Sequence, residues 1–243
     1  MRIDLPTPAT ALAIAAHPDD VEFGCGATLA KWAEAGSTVH LLVCTDGSKG
    51  TWDVDADTAA LTTRRQAEQR EAARRLGATG EVRFLGARDG ELDHGVDWRS
   101  LLSGIIRELK PEVVLGHDPW QRWRIHPDHR AAGWLTVDSV VAARDPHYHR
   151  EHGIAHHRPA ALLLFECEEP DHLEAVEPPH LDAKVSALLA HESQFETTME
   201  IDEADDGAQT EKFRQRILRE ARDHGRRGGV RYAEAFRQID PAS

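Results

Sequence analysis

The chain has few cysteines, no long apolar run and no excess of basic residues. Its three cysteines, Cys25, Cys44 and Cys167, are far apart in the sequence, so a disulfide framework is not expected. No apolar stretch approaches the roughly 20 residues of a membrane-spanning helix, and the N-terminus lacks the basic and then apolar pattern of a signal peptide. These absences predict a soluble, cytoplasmic protein with reduced thiols.

The charge balance is acidic. The sequence has 29 Lys and Arg residues against 42 Asp and Glu residues, which gives a formal net charge of -13 over 243 residues. Phosphate backbones and anionic lipid headgroups are not attracted to such a chain, so neither nucleic acid nor membrane is an expected partner. The charge is more compatible with a small neutral or cationic substrate.

Apolar runs and helical patterns alternate along the chain. Apolar runs, typical of strands buried on both faces, cover 11–16, 39–45, 113–116 and 160–165, and a further short strand is predicted over 82–85. Helical spacing covers 27–35, 62–76, 98–109, 127–141, 184–189 and 211–222. This alternation predicts an α/β fold with a Rossmann-like, layered, mostly parallel sheet flanked by helices. No repeat or change in composition marks a boundary, so a single domain over 1–243 is predicted.

Two short polar runs follow two of the predicted strands. His17-Pro18-Asp19-Asp20 comes after the first, and His126-Pro127-Asp128-His129 follows a later one. Open α/β sheets bind their ligands at the carboxyl ends of their strands, so these imidazoles and carboxylates are expected to converge there. Two histidines and one carboxylate suit Zn²⁺, with Fe²⁺ as an alternative, and leave a fourth position for water. The sequence therefore predicts a hydrolytic metal site.

The spacing within each run supports shared ligation. His17 and Asp20 are three residues apart in a turn, close enough to bind one ion. His126 and His129 are also three apart, and Pro127 suits the first turn of a helix, so the two imidazoles share a face. A single His-Pro-Asp is more typical of a turn whose aspartate caps a helix. Two such runs after two separate strands favour the metal site.

Hydrolysis also requires a base and a group that stabilises developing charge. Asp19 is adjacent to Asp20 but is not needed as a ligand, so it is the candidate general base. The imidazole of the second run that does not bind the ion could stabilise an oxyanion or protonate a leaving group. The alternative interpretations are that Asp19 is a helix cap and that His126 is a solvated turn residue.

Taken together, these motifs resemble those of the PIG-L/LmbE-like zinc-dependent de-N-acetylases, in their bacillithiol-pathway form. The resemblance extends over most of the chain. It rests on segments 17–24 and 126–129, on 45–50, on Arg65-Gln66-Ala67-Glu68, on Asp89-Gly90-Glu91-Leu92, on His191-Glu192-Ser193-Gln194 within 184–194, and on 232–236.

The resemblance implies an enzyme that removes an N-acetyl or N-acyl group from an N-acetylglucosamine-type conjugate. It assigns Zn²⁺ to His17, Asp20 and His129, the general base to Asp19, and the oxyanion stabiliser or acid to His126. It further implies substrate contacts from Arg65, Asp89, Ser48 and His191, with Asp128 supporting the ligands. Ser48 stands where mycothiol-pathway deacetylases carry an acid, which weakens the case for an inositol-linked substrate. Family members often assemble, so a homo-oligomer is also expected.

Two other functions compete with deacetylation. A metal-dependent esterase or phosphoesterase could use the same activated water, but two-metal phosphoesterases need a second ligand set that is not evident. A catalytically silent sugar-binding module could retain the fold. The presence of Asp19 beside a full ligand set argues against that alternative, because binding alone needs no base.

Two further groups of charged residues are interpreted as ordinary surface. The arginines of 64–75, apart from Arg65, alternate with Glu68 and Glu71 at salt-bridging distances. Five histidines lie between positions 147 and 157 in a segment without periodicity. They could bind metal adventitiously, but a surface loop near the mouth of the site is the favoured interpretation.

Overall fold

A computed structural model describes residues 1–242 of the protein. Its strands are β1 (Arg2–Ile3), β2 (Thr10–Ala15), β3 (Thr38–Thr45), β4 (Val82–Ala87), β5 (Val113–His117), β6 (Ala161–Phe165), β7 (His172–Ala175) and β8 (Ala233–Ile239). Its α-helices are α1 (Asp20–Glu34), α2 (Thr58–Arg75), α3 (Val96–Leu109), α4 (Pro127–Arg144), α5 (Pro178–Leu188) and α6 (Ala208–Gly228). Short 3-10 or π turns cover Arg150–His152, Glu192–Gln194 and Phe195–Met199.

The strands form one mostly parallel sheet with the order β1-β7-β8-β6-β5-β2-β3-β4. Only β8 runs antiparallel to its neighbours, β6 and β7. Side chains of β2 alternate between two apolar cores, because successive residues of a strand point to opposite faces. Ala11 and Ala13 belong to one core, and Leu12 and Ile14 to the other. The predicted α/β fold, with helices on both faces of the sheet, is confirmed.

The connections place a crevice beside β2. After β2 the chain moves outward to β3 and β4, and then it crosses back to form β5 on the other side of β2. Such a reversal of strand order leaves room for a ligand at the carboxyl ends of the two central strands. Because β2 to β6 are mutually parallel, the segments that follow all five strands meet at this edge.

The structure extends and corrects several predicted elements. Helix α1 begins at Asp20, seven residues before the predicted start, because the polar motif and two glycines conceal its helical pattern. Strands β1 and β7, and the antiparallel β8, were not predicted. The histidine-rich segment follows the C-terminal end of α4, whereas His126 caps its N-terminal end. His152 packs against Ser100 and Gly104 of α3, and no histidine of this segment lines the cavity described below, so the expected position near the site mouth is wrong.

Two findings concern the cysteines and the helices. Cys25, Cys44 and Cys167 are all free thiols. Among residues 1–242, no helix has both the length and the apolar character needed to cross a bilayer.

Helix α1 is interrupted just after its first turn. Cys25 has φ -149° and ψ 16°, outside the helical region, so the normal backbone hydrogen bonds fail there. Gly24 allows the close packing at this point, since a Cβ atom on it would lie 2.5 Å from the ring of Phe165. The interruption separates the turn that carries Asp20 from the rest of the helix.

A buried ion pair replaces the hydrogen bonds that the interruption removes. Nζ of Lys184 lies 2.6 Å from Oε1 of Glu234 and donates to the carbonyl oxygen of Phe23 at 2.7 Å. Glu234 in turn accepts from the backbone N–H groups of Ala27 and Thr28 at 3.1 and 2.7 Å. Both charged groups therefore hydrogen-bond to the backbone of α1. Because Lys184 belongs to α5 and Glu234 to β8, these two elements fix the position of the first turn of α1.

Removing one member of this pair should destabilise the fold. Lys184→Met leaves the carboxylate of Glu234 buried without its counter-charge, which should lower the free energy of unfolding by about 3–5 kcal/mol. Lys212→Met removes the cation of an exposed pair with Glu200 and should leave the free energy of unfolding almost unchanged. Urea unfolding of both variants measures the difference, and equal losses would contradict the role given to the buried pair.

Candidate metal centre and its cavity

A cavity of about 570 Å³ opens at the carboxyl edge of the sheet. This volume is typical of small-molecule sites. The predicted site residues that line the cavity are His17, Asp19, Asp20, Arg65, Asp89, His126 and His129. Residues from later parts of the chain, including Gln194, Thr198 and Arg216, complete its wall.

Three side-chain donors meet at the base of the cavity. Nδ1 of His17 lies 3.1 Å from Nε2 of His129 and 3.3 Å from Oδ2 of Asp20. Nε2 of His129 lies 3.4 Å from Oδ1 of Asp20. Four ligands placed tetrahedrally around Zn²⁺ at about 2.0–2.1 Å lie about 3.3 Å apart, so these separations suit one ion with three protein ligands.

The second ring nitrogen of His17 is held by carboxylates. Nε2 lies 3.1 Å from Oδ2 of Asp128 and 3.4 Å from Oδ1 of Asp89. Asp128 also accepts from the backbone N–H groups of Gly90 and Leu92, at 2.6 and 3.2 Å. A proton on Nε2 leaves the lone pair on Nδ1, which is the tautomer that a metal-ligating histidine needs.

Three residues that the sequence did not single out join Asp20 to His129. Nε2 of His117, at the end of β5, lies 3.4 Å from Oδ2 of Asp20. Nδ1 of His117 lies 3.0 Å from Oε2 of Glu166, the residue after β6, and Glu166 pairs with Arg124 at 2.6 Å. Nη1 of Arg124 lies 2.7 Å from Nδ1 of His129 and closes the circuit.

Arg124 bears directly on how His129 can act as a ligand. A guanidinium group only donates, so Nδ1 of His129 accepts from it here and Nε2 carries the proton. Ligation through Nε2 requires the opposite tautomer, and Arg124 must then withdraw from Nδ1. Glu166 already accepts a hydrogen bond from Nη2 of Arg124, so the guanidinium would keep this ion pair after leaving His129.

Burial and nearby charge determine the protonation of the two histidine ligands. Burial favours the neutral ring of His17, but its hydrogen bonds to Asp128, Asp20 and Asp89 hold its pKa well above the usual value. Burial lowers the pKa of His129 to about 4, despite the attraction of Asp20. This buried group of carboxylates therefore favours a positive charge in its midst, and a metal cation meets the same requirement.

The turn at Asp19 is strained and is held from helix α2. Asp19 has φ 99°, a left-handed conformation that is uncommon for residues other than glycine. Its backbone N–H donates to Oε1 of Gln69 at 3.0 Å. Arg65, one turn earlier on the same helix, donates to the carbonyl oxygens of Pro18 and Gly47 at 2.8 and 2.9 Å. The strain turns the Asp19 side chain toward the cavity.

The electrostatic environment of Asp19 differs from that of its neighbour. Burial raises the pKa of Asp19 to about 7, with the guanidinium of Arg65 opposing the shift and the charge of Asp20 adding to it. Nη2 of Arg65 lies 3.8 Å from Oδ2 of Asp19. Arg65 is itself buried, so it acts on Asp19 as a fixed nearby charge.

His126 lies beside the three donors and forms with His17 and His129 a group whose donor atoms all lie within 4.8 Å of one another. It is the N-cap of α4, and its Nδ1 accepts from the backbone N–H of Asp128 at 3.3 Å. In the neutral ring the proton is then on Nε2, where it can be donated. Burial, and next to it the charge of His17, lower the pKa of His126, which favours that neutral form. The ring centroids of His126 and His17 are 4.7 Å apart.

The remaining predicted contacts divide into two groups. Asp89 lines the cavity, and its Oδ2 accepts from the backbone N–H of Lys49 at 3.0 Å. Ser48 and His191 do not line it, contrary to expectation. Ser48 donates its backbone N–H to Asp46, and His191 is fully buried with Nε2 3.4 Å from Glu22. Their motif positions therefore belong to the packing around the site.

Comparison with known proteins identifies the family of this chain. Residues 12–140 match the PIG-L family, described as GlcNAc-PI de-N-acetylase. The chain is 33% identical over 232 residues to the diacetylchitobiose deacetylase of Thermococcus kodakarensis, covering 94% of this chain and 82% of that protein. It is 32% identical over 234 residues to the 1D-myo-inositol 2-acetamido-2-deoxy-alpha-D-glucopyranoside deacetylase of Actinosynnema mirum, covering 78% of this chain and 82% of that protein.

A solved structure has the same architecture. The N,N'-diacetylchitobiose deacetylase of Pyrococcus horikoshii, complexed with its inhibitor, superposes with a TM-score of 0.85 and 29% sequence identity. The match covers 97% of this chain and 85% of that one. The family match covers more than half of the chain, and the relatives align along most of its length. The chain therefore belongs to the PIG-L family of de-N-acetylases.

The contacts that link Asp20 to His129 through His117, Glu166 and Arg124 should affect the affinity of the site for Zn²⁺. Glu166→Gln removes the carboxylate that draws Arg124 away from His129, so Zn²⁺ should bind about 10–100-fold more weakly. Glu169→Gln, a change at an exposed neighbouring residue, is the control and should leave the affinity unchanged. Competition with a chromophoric zinc chelator measures both. Unchanged affinity in Glu166→Gln would contradict the proposed support of the ligands.

Proposed function

We propose that this protein is a zinc-dependent hydrolase that removes the N-acetyl group from an N-acetylglucosamine-type aminosugar. The observation that carries the proposal is the set of three donors from His17, Asp20 and His129, with Asp19 beside them in the same cavity. The relatives described above are named as deacetylases of acetylated aminosugars. The reaction adds water to the amide and yields a free amine and acetic acid, which ionises to acetate by releasing a proton to solvent.

The proposed ligands are His17 through Nδ1, Asp20 through a carboxylate oxygen, and His129 through Nε2. When bound, Zn²⁺ polarises a carbonyl oxygen and lowers the pKa of a bound water from far above neutrality to about 7. Asp128 keeps His17 in its ligating tautomer. The donor set of two imidazoles and one carboxylate also suits Fe²⁺.

Asp19 is the proposed general base. It lines the cavity next to Asp20, yet no donor separation requires it as a ligand. As water adds to the amide carbon, Asp19 takes a proton from that water. When the C–N bond breaks, the proton passes to the departing nitrogen, so the carboxylate is regenerated and the amine leaves neutral.

His126 and Arg65 are proposed to act at the other side of the amide. The Nε2 proton of His126 can be donated to the oxygen that gains negative charge as water adds. Arg65 already donates to two backbone carbonyls and holds the turn that carries Asp19, so only its remaining N–H groups can reach a sugar. Oδ2 of Asp89 accepts from the backbone of Lys49 and Oδ1 lies near His17, so a sugar hydroxyl would donate to a remaining lone pair of this carboxylate.

A substrate panel should distinguish the proposed reaction from its alternatives. Zinc-loaded protein should release amine from N-acetylated aminosugars faster than from acyclic N-acetyl amines, because only the ring supplies hydroxyls for Asp89 to bind. Release is measured with an amine-reactive fluorophore, and metal-free protein is the control. Hydrolysis of acetyl or phosphate esters alone would favour an esterase, and sugar binding without turnover would favour a silent binding module.

The base is tested by replacing one oxygen. Asp19→Asn keeps the shape of the side chain but cannot take a proton, so kcat should fall by about 10²–10⁴-fold. Metal content by elemental analysis should stay at the wild-type level. Asp20→Asn, by contrast, should lose metal, because it weakens a proposed ligand. Near wild-type turnover in metal-loaded Asp19→Asn would exclude the role of base.

A further inference from the structure

Two buried ionisable side chains close to the site have no part in the proposed chemistry. Glu22 is on α1, two residues after Asp20, and His191 begins the turn that follows α5. Neither side chain is exposed to solvent, and Nε2 of His191 lies 3.4 Å from Oε2 of Glu22. Burying an acid and a base together is costly, so this pair needs an explanation beyond packing.

Gln69 on α2 connects the pair to Asp19. Its Oε1 accepts from the backbone N–H of Asp19 at 3.0 Å, and its Nε2 donates to Oε1 of Glu22 at 2.7 Å. Gln69 is itself fully buried. One chain of buried contacts therefore runs from His191 through Glu22 and Gln69 to the backbone of Asp19.

The neighbours of Gln69 fix the direction of its amide group. A backbone N–H only donates and a carboxylate only accepts, so the amide oxygen must face Asp19 and the amide nitrogen must face Glu22. Burial favours the neutral ring of His191, but the carboxylate of Glu22 raises its pKa above the usual value. A protonated His191 suits the second oxygen of Glu22 and leaves the first oxygen for Gln69.

Gln69 and Arg65 hold the two ends of one peptide group. Arg65 donates to the carbonyl oxygen of Pro18 at 2.8 Å, and Gln69 accepts from the N–H of Asp19, which belongs to the same peptide. Asp19 has φ 99° and ψ -28°, a conformation that is uncommon outside glycine. Such conformations persist only where the surrounding contacts impose them. A flip of this peptide would break both hydrogen bonds and bring φ to an ordinary negative value.

We infer that Gln69 is a positioning residue for the proposed general base, because it prevents the Pro18–Asp19 peptide from flipping. Glu22 and His191 contribute by fixing the direction of the Gln69 amide. The Asp19 carboxylate is thereby kept in the cavity, although none of the three supporting side chains lines it. The inference rests on the proposed function, in which Asp19 takes a proton from water.

Exchanging the two central groups tests the inference. Gln69→Glu sets two buried carboxylates against each other, so kcat per bound zinc should fall by about 10²-fold, with KM nearly unchanged. Adding Glu22→Gln restores the contacts in reverse. The amide nitrogen at position 22 then donates to the carboxylate at position 69, whose other oxygen accepts from Asp19, and the amide oxygen accepts from His191. The kcat of the double variant should return close to the wild-type value.

Two further comparisons separate positioning from packing. Gln66→Glu, the same change three residues earlier on α2 and outside the cavity wall, is the control and should leave kcat unchanged. In an Asp19→Asn background, Gln69→Glu should cause no further loss, because the base that Gln69 positions is already absent. Additive losses in that background, or a double variant no better than Gln69→Glu alone, would overturn the inference.

Crystal structures of wild type and the variants give a readout that does not depend on activity. Gln69→Glu should show a flipped Pro18–Asp19 peptide with a negative φ at Asp19, and the double variant should regain the positive φ. A positive φ that persists in Gln69→Glu would overturn the inference. Wild-type protein that releases no amine from any substrate would instead refute the proposed function, and the same structures would still decide whether Gln69 sets the conformation of Asp19.

Discussion

The site depends on one constraint, the burial of several carboxylates around a single imidazole. Asp20, Asp89 and Asp128 all approach His17 within 3.4 Å, although the four side chains are largely removed from water. Negative charges collected in this way are costly unless a cation stands among them. A metal ion at the proposed ligands His17, Asp20 and His129 would meet that need, and the same ion would polarise the amide carbonyl in the proposed hydrolysis.

Other parts of the molecule stabilise two unfavourable backbone conformations next to these side chains. Asp19 occupies a left-handed conformation, and α2 secures it through Gln69 and Arg65. The first turn of α1 is cut off from the remaining helix at Cys25, and the Lys184–Glu234 pair satisfies the freed backbone groups. Segments distant in sequence thus supply few groups that would react, but their hydrogen bonds fix the positions of Asp19 and Asp20.

Much of this could be predicted from the sequence because the signals were local. The apolar runs of β2, β3 and β5 identified a buried parallel sheet, and both His-Pro-Asp runs followed such strands. His117, Glu166 and Arg124 carried no comparable signal. None of the three belongs to a recognisable motif, and only the parallel pairing of β5 with β6 brings His117 and Glu166 together. Short β1 and β7 escaped notice because strands of two and four residues have too little periodicity.

The sequence by itself determined the fold class and the identity of the groups that could bind a metal, since residue type and spacing fix both. Only the tertiary structure decided which atoms face one another. It directed Nδ1 of His17 to the centre, turned His191 into the core against Glu22, and carried His149 and His152 to the far end of α4. The physical reason is that ligand geometry and burial arise from contacts between distant segments, which local spacing does not encode.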